Sequence, residues 1–289
     1  MKWKHFLCWI VWMAVSQAQA QPETVIYPGA ISSDQRTGYY AAVLDLALKK
    51  SGTPYRLQAS GQMMVAPRLM QQLQDRDGIN VCWWPTSPEL EQRLLPVRIP
   101  IDKGILGWRL FLIRKDDRAR FAAIHTLPQL QALVAGQQRD WSDTAILRAN
   151  GIKVVGAGLY PPMFQMLASG RFHYFPRGVG EIWNEERQHG GLGLEVEGHL
   201  ALHYPVHTYF FVNKHDTALA QRLEHGLRTA LKDGSFDALF EQYNGEFLRR
   251  ARLGSRTVFE LHNPLTTPAP RQGKTGGLHL STAPLSSED

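Results

Sequence analysis

Apolar positions along the chain recur at two alternating spacings. "ETVIYPG" is a β-branched run closed by Pro28 and Gly29, which predicts a strand feeding a loop. In "GYYAAVLDLALKKSG", Tyr40, Val43, Leu44, Ala47 and Leu48 fall on one helical face and Gly52 ends it. "YRLQAS" reads as a strand, "APRLMQQLQDRDG" as a helix with Leu69 and Leu73 inward, and "INVCWW" as a buried strand stopped by "PTSP". Strand, helix, strand, helix, strand predicts a parallel α/β sheet, with ligand sites beyond the carboxyl ends of the strands. Those ends carry "YPGAISSDQR" and "WWPTSP".

"GWRLFLIRK" is a long strand, and after it the alternation starts again. "TLPQLQALVAG" and "WSDTAILRANG" are helices, "IKVVGAG" a strand, "YPPMFQMLASG" a helix opened by proline, and "RFHYFP" a strand. "LEVEGHLALHYPVHTYFFVNK" is β-rich and returns toward the first half, and "TALAQRLEHGLRTALKDGSFDALFEQYNG" supplies two closing helices. The second α/β unit therefore interrupts the first, with extended crossings near 107–114 and 204–212. The expected organisation is lobe one at 21–108 and 207–260, and lobe two at 109–206. Such a pair has a hinge, and its cleft is the expected ligand site.

The ends differ from the middle. "MKWKH" is basic, "FLCWIVWMAVS" has the length of a signal-peptide core rather than a membrane span, and "AQA" suits cleavage after Ala20. The chain is expected to be exported, with a periplasmic destination. Residues 261–289, rich in Pro, Thr, Ser and Gly, are expected to form a disordered tail. Loss of Cys8 with the signal leaves Cys82 as the one cysteine, so no intramolecular disulfide is expected and stability must come from a core. The formal charge of +6 falls to about +4 without Lys2 and Lys4, and no dense Lys/Arg stripe exists, so nucleic acid is not an expected partner.

The order of these segments resembles the family 3 extracellular solute-binding proteins of ABC transporters, which have the type II periplasmic-binding fold. "RLMQQLQDRDGINV" is similar to the family's helix, glycine and Ile-Asp-Val strand, with Asn80 at the Asp position. "RLLPVRIPIDKGILGWRLFLIRK" resembles its crossing strand, "LPQLQALVAG" the start of its second lobe, "MLASGRFHYF" its Gly-Arg-Val-Asp strand, and "LAQRLEHGLRTALKDGSFDALFEQY" its closing helices. The resemblance spans residues 24–245 and marks the chain as a divergent member. It implies a monomeric binding protein that captures a small solute by hinge closure, with an inner-membrane ABC permease as partner and no cofactor.

Two departures bear on the ligand. Amino-acid binders carry Thr-x-x-Arg after the third strand, but in "TSPELEQR" Glu89 takes the arginine place after Thr86, and Arg93 comes four residues late. The acid that would hold an α-ammonium falls in "YFPRG", where Arg177 stands. A small polar, anionic ligand is therefore expected rather than a plain amino acid.

The candidate ligand-binding residues are Arg36, Arg68, Trp83, Trp84, Thr86, Arg109, Trp141, Asp143, Thr144 and Arg177. Arg177, after a strand and before a helix, either grips a carboxylate or phosphate or pairs with Glu181, Glu185 or Glu186. Trp141 to Thr144 opens a helix whose N–H groups suit an anion, or are simply capped. Trp83 and Trp84 point to opposite faces of their strand, so either an outward ring stacks on a ring or a cation, or both rings serve core or hinge packing. His199, His203 and His207 recur every four residues, but Pro205 and a strand-like context spread them too far for one metal ion. No GxSxG, HExxH or Gly-rich phosphate loop appears, so an enzyme is not expected. The alternatives kept open are a sensory or interaction module of the same fold, and a hydrolase of cell-wall fragments.

Overall fold

The computed structural model describes residues 22–29, 35–61 and 66–266. The expected signal peptide and the loop that follows Pro28 and Gly29 lie largely outside these residues, as does the tail beyond 266.

Lobe one begins β1 (Glu23–Tyr27), α1 (Gln35–Lys50), β2 (Tyr55–Ala59), α2 (Ala66–Asp75), β3 (Val81–Pro85), α3 (Pro88–Arg93) and β4 (Leu94–Val97). β1 and β2 pair in parallel. Asn80, standing ahead of β3, accepts from the Ile26 N–H at 2.7 Å and donates its own N–H to the Ile26 carbonyl at 2.9 Å. One side chain thus stitches β1 to the three-stranded sheet headed by β3.

Lobe two contains β5 (Trp108–Arg114), α4 (Arg118–Ala122), α5 (Leu127–Gln131), β6 (Val134–Gln138), α6 (Ser142–Ala149), β7 (Lys153–Ala157), α7 (Pro162–Ala168), β8 (Tyr174–Gly178), α8 (Ile182–His189), β9 (Leu194–Val196) and β10 (Leu200–His203). The chain returns through β11 (Thr208–Asn213), α9 (Thr217–Lys232) and α10 (Ser235–Ala251), and ends in β12 (Thr257–Glu260). β11 lies antiparallel between β3 and β4, so the first lobe's second sheet is antiparallel, not a continuation of the parallel pair.

The second sheet runs β12, β10, β5, β8, β6, β7, with β9 also on β5. It is covered on both faces. Phe164, Phe172, Phe175 and Leu110 pack on one side, and Phe111, Phe121, Tyr174 and Leu202 on the other. Alternation along β5 explains this: Leu110 and Leu112 join one cluster, Phe111 and Ile113 the other.

Three placements differ from the sequence expectation. β5 is not itself a hinge but an inner strand of the second sheet, and the crossings are residues 98–107 and 204–207. β12, assigned by pattern to lobe one, pairs in parallel with β10 of lobe two. The segment 261–266, expected as tail, is tied down: Leu261 donates its N–H to His203 at 2.7 Å, Asn150 and His262 exchange hydrogen bonds of 2.7 and 2.9 Å, and Asn263 donates to Pro205 at 2.8 Å. A pattern reading misses this because only Leu261 of that stretch is apolar and fully buried.

The two crossings are joined to each other. Asp102, wholly buried, accepts from the Thr208 hydroxyl at 2.7 Å, from the Gly104 N–H at 3.0 Å and from the Tyr40 hydroxyl at 3.4 Å. At Gly107 the crossings nearly touch: a Cβ there would lie 2.2 Å from the Tyr204 carbonyl oxygen. α10 makes a third link. Phe236 and Phe240 belong to the lobe-one core, while Phe247 and Ala251 pack on the lobe-two core.

Candidate functional site

Among the described residues, two neighbouring chambers lie between the lobes. The larger, of about 430 Å³, is lined from lobe one by Thr86 and Ser87, from the crossings by Leu106 and His207, and from lobe two by Arg109 and Arg177. Trp141, Ser142 and Asp143, at the start of α6, and Asn263 and Thr266, after β12, complete it. The smaller, of about 80 Å³, is walled by Tyr39, Tyr40, Tyr243 and Phe247 and by the backbone after β8. Leu106 and Glu181 line both chambers.

The sheet positions both arginines. Arg109 pairs with Gly178 and Arg177 with Leu110, so they sit one register step apart on adjacent strands, at the end of the sheet that meets the cleft. Arg177 is buried and sandwiched, its guanidinium 4.7 Å from the Trp141 ring centre, 4.9 Å from Phe175 and 5.1 Å from Tyr160. Its Nε donates to Glu185 at 2.8 Å, and its Nη2 reaches Glu185 at 2.6 Å and Glu181 at 2.9 Å. Burial works against the charge, but the carboxylates of Glu181 and Glu185 outweigh it and hold the group above the ordinary arginine value. Nη1 has no protein partner among the described residues.

Arg109 is built the same way. Its Nε donates to Asp143 at 2.6 Å, and its Nη1 donates to the Leu106 and Trp108 carbonyls. The Tyr204 hydroxyl also donates to Asp143. Burial opposes ionisation of Asp143, yet Arg109 and that hydroxyl hold its carboxyl below the usual carboxylate range. Arg109 Nη2 has no protein partner among the described residues. The larger chamber thus receives two permanently charged guanidiniums, each clamped by its own carboxylate and each with one nitrogen left over.

The remaining candidates are placed as follows. Thr86 lines the larger chamber, and its hydroxyl donates to Glu91 at 2.7 Å. Thr144 is buried behind α6, donating to the Gln138 carbonyl at 2.9 Å, and lines neither chamber. Trp83 stacks near Tyr40 and Tyr27, at 5.6 and 6.0 Å between ring centres, and joins the lobe-one core. Trp84 packs on the other face of that sheet, against the cluster around Tyr209 and Phe211. Alternation holds for the pair, but both faces are covered, so neither ring is presented to the chambers. Arg68 is an exposed residue of α2 outside both chambers, and the side chain of Arg36 lies outside the described residues. Of the two sequence alternatives for Arg177, the structure shows the ion pairs with Glu181 and Glu185, formed where the residue lines the larger chamber.

His203 bonds Glu260 and stacks on Trp108, His199 pairs with Glu197, and His207 lies along Tyr209. Among the described residues no group of side chains is arranged to hold a metal ion, and no helix is long and apolar enough to cross a membrane. The residues missed by sequence are Tyr204 and the aromatic wall. For that wall, Tyr243 and Phe247 at helical i, i+4 spacing were the available signal.

No family model matches this chain, and no curated protein matches it. Solved structures do. The probable amino-acid ABC transporter extracellular-binding protein YtmK of Bacillus subtilis superposes with a TM-score of 0.59 at 15% identity, covering 78% of this chain and 98% of its own. The periplasmic VFT2 domain of Bordetella pertussis BvgS gives 0.56 at 16% identity, covering 76% and 92%. The L-cystine solute receptor of Neisseria gonorrhoeae, in its unliganded open conformation, gives 0.53 at 16% identity, covering 78% and 93%. The chain therefore has the two-lobe periplasmic-binding-protein-like fold. Within that fold it is structurally similar to binding proteins for amino acids and cystine.

Proposed function

We propose that this chain is a divergent family 3 solute-binding protein. It is exported, and it captures a small solute bearing a carboxylate, or another planar anion, in the larger chamber. The observation that carries this reading is the pair of clamped guanidiniums, Arg109 and Arg177, that line one interlobe chamber and whose Nη2 and Nη1, respectively, have no protein partner among the described residues. A guanidinium already aligned by a carboxylate loses little freedom when it takes a further hydrogen bond. Because the three carboxylates of Asp143, Glu181 and Glu185 outnumber the two guanidiniums, binding rests on hydrogen-bond geometry and not on a positive field. The start of α6 adds the partial positive charge of a helix N-terminus on the same side.

The grip has moved relative to the amino-acid binders that the sequence resembles. Arg93 is paired with Glu89 at 3.7 Å on exposed α3, away from the chamber. Lobe one supplies Thr86 and Ser87 instead, and the charged donors come from lobe two. Guanidiniums do not exchange protons at physiological pH, so the chamber's strongest groups suit binding rather than acid–base turnover. Uptake through an ABC permease is the role we assign, by analogy with the structural neighbour YtmK, a probable amino-acid ABC transporter extracellular-binding protein.

A thermal-shift screen of mono- and dicarboxylates, amino acids and phosphorylated metabolites tests the reading. A carboxylate at a hundred times its dissociation constant should stabilise the protein by about 2.7 kcal/mol. Replacing Arg109 by Lys, which keeps the charge but removes the fork, should abolish the shift. Stabilisation by neutral sugars alone, or a shift indifferent to Arg109→Lys, would refute it.

A further inference from the structure

The smaller chamber has chemistry unlike that of the larger. Its walls are rings: Tyr39 and Tyr40 from α1, Tyr243 and Phe247 from α10. The polar ends of the two buried tyrosines are turned elsewhere, with the Tyr39 hydroxyl donating to the Ile101 carbonyl at 2.7 Å and the Tyr40 hydroxyl to Asp102 at 3.4 Å. Asn244, the amide in the wall, donates to the Phe240 carbonyl at 3.1 Å. Ile105, Leu106 and Val179 close the floor. A cavity so lined favours an apolar occupant. At about 80 Å³ it has roughly half the room of a cavity that takes benzene, about 150 Å³, so it fits a compact branched or cyclic group and not a long chain.

Leu106 and Glu181 line both chambers, so the two are neighbours across these side chains, and a ligand that reaches past them would occupy both. We propose that the smaller chamber is a subsite for the apolar end of the ligand, and that the ligand class is a short amphipathic monocarboxylate. Its carboxylate lies toward Arg109 and Arg177 and its compact apolar group lies among Tyr39, Tyr40, Tyr243 and Phe247. This rests on the reading that the larger chamber takes the carboxylate. The subsite spans the lobes: α1 belongs to lobe one, the turn after β8 to lobe two, and α10 to both. Its occupant therefore favours the arrangement of lobes seen in this structure.

Calorimetric titration of the full chain with acetate, 3-methylbutanoate and phenylacetate tests the proposal in wild type, Tyr243→Ala and Tyr243→Phe. Tyr243 is 38% exposed, so its truncation leaves the core packed. Each buried methylene should tighten binding about fourfold, so 3-methylbutanoate should bind at least roughly tenfold more tightly than acetate. That ratio should collapse in Tyr243→Ala and persist in Tyr243→Phe. If all three acids bind equally, or the ratio survives Tyr243→Ala, the subsite is overturned while the carboxylate reading stands. If no acid binds wild type, both fall.

Discussion

Arg177 is held on two sides in the proposed site. Two carboxylates clamp it and three rings enclose it, and Nη1 has no protein partner among the described residues. Removing it leaves Glu185 buried without its cation, with the Tyr160 hydroxyl still donating to it at 2.6 Å, so Arg177→Ala should lower unfolding free energy by about 3–5 kcal/mol in urea titrations. Loss of binding by that variant would then say nothing of contact, which is why the lysine substitution at Arg109 is the cleaner probe. Asp102 offers a second residue-level test. Burial pushes its carboxyl up from 3.8 to about 6, against the hydrogen bonds from Thr208, Gly104 and Tyr40. The folded state therefore binds this proton more tightly than the unfolded one. The resulting penalty is absent below about pH 4, grows between pH 4 and 6 and is complete above, at roughly 3 kcal/mol. Denaturation of Asp102→Asn from pH 4 to 7.5 should show the variant gaining on wild type by up to that amount as pH rises. A difference that does not change with pH would contradict the assignment.

At the scale of elements, two glycines should respond to alanine in opposite directions. Gly107 sits where the crossings meet, and a Cβ would press on the Tyr204 backbone at 2.2 Å. Gly107→Ala should cost about 1–3 kcal/mol and loosen the cleft. Gly245, inside α10, would meet only the mobile ends of Glu241 and Arg249, so alanine there should stabilise the helix by roughly 0.5–1 kcal/mol. Urea midpoints of the two variants check both signs. Most elements were legible in the sequence because their apolar spacing is clean: α1 buries Tyr40, Val43, Leu44, Ala47 and Leu48, the set its pattern predicts. β12 was not, since "TVFE" is too short to carry a period and its partner β10 lies more than fifty residues earlier. Pairing at that separation leaves no local mark. The arginine site was half legible. That Arg109 and Arg177 flank a cleft follows from strand order, but the carboxylates that clamp them are set by the β5–β8 register and by how α6 and α8 pack.

For the whole molecule, the link through α10 and β12 is the feature that separates this chain from a simple two-strand hinge. α10 packs on both cores, and β12 then enters the lobe-two sheet beside β10. Opening should accordingly be narrow. Spin labels at exposed Arg56 and Arg148, one on each lobe, should give a narrow distance distribution, which widens when residues 256–289 are removed. Buried Cys82 will not compete for label. An equally broad distribution in both proteins would show that the third link does not restrain the lobes. The central claim is that the interlobe cleft holds a carboxylate on the spare nitrogens of two clamped arginines. The most direct measurement is a crystal structure with the acid that gives the largest thermal shift. The account predicts its carboxylate within hydrogen-bond distance of Arg109 Nη2 and Arg177 Nη1, with Glu185 still on Arg177. A ligand bound away from both guanidiniums would contradict it.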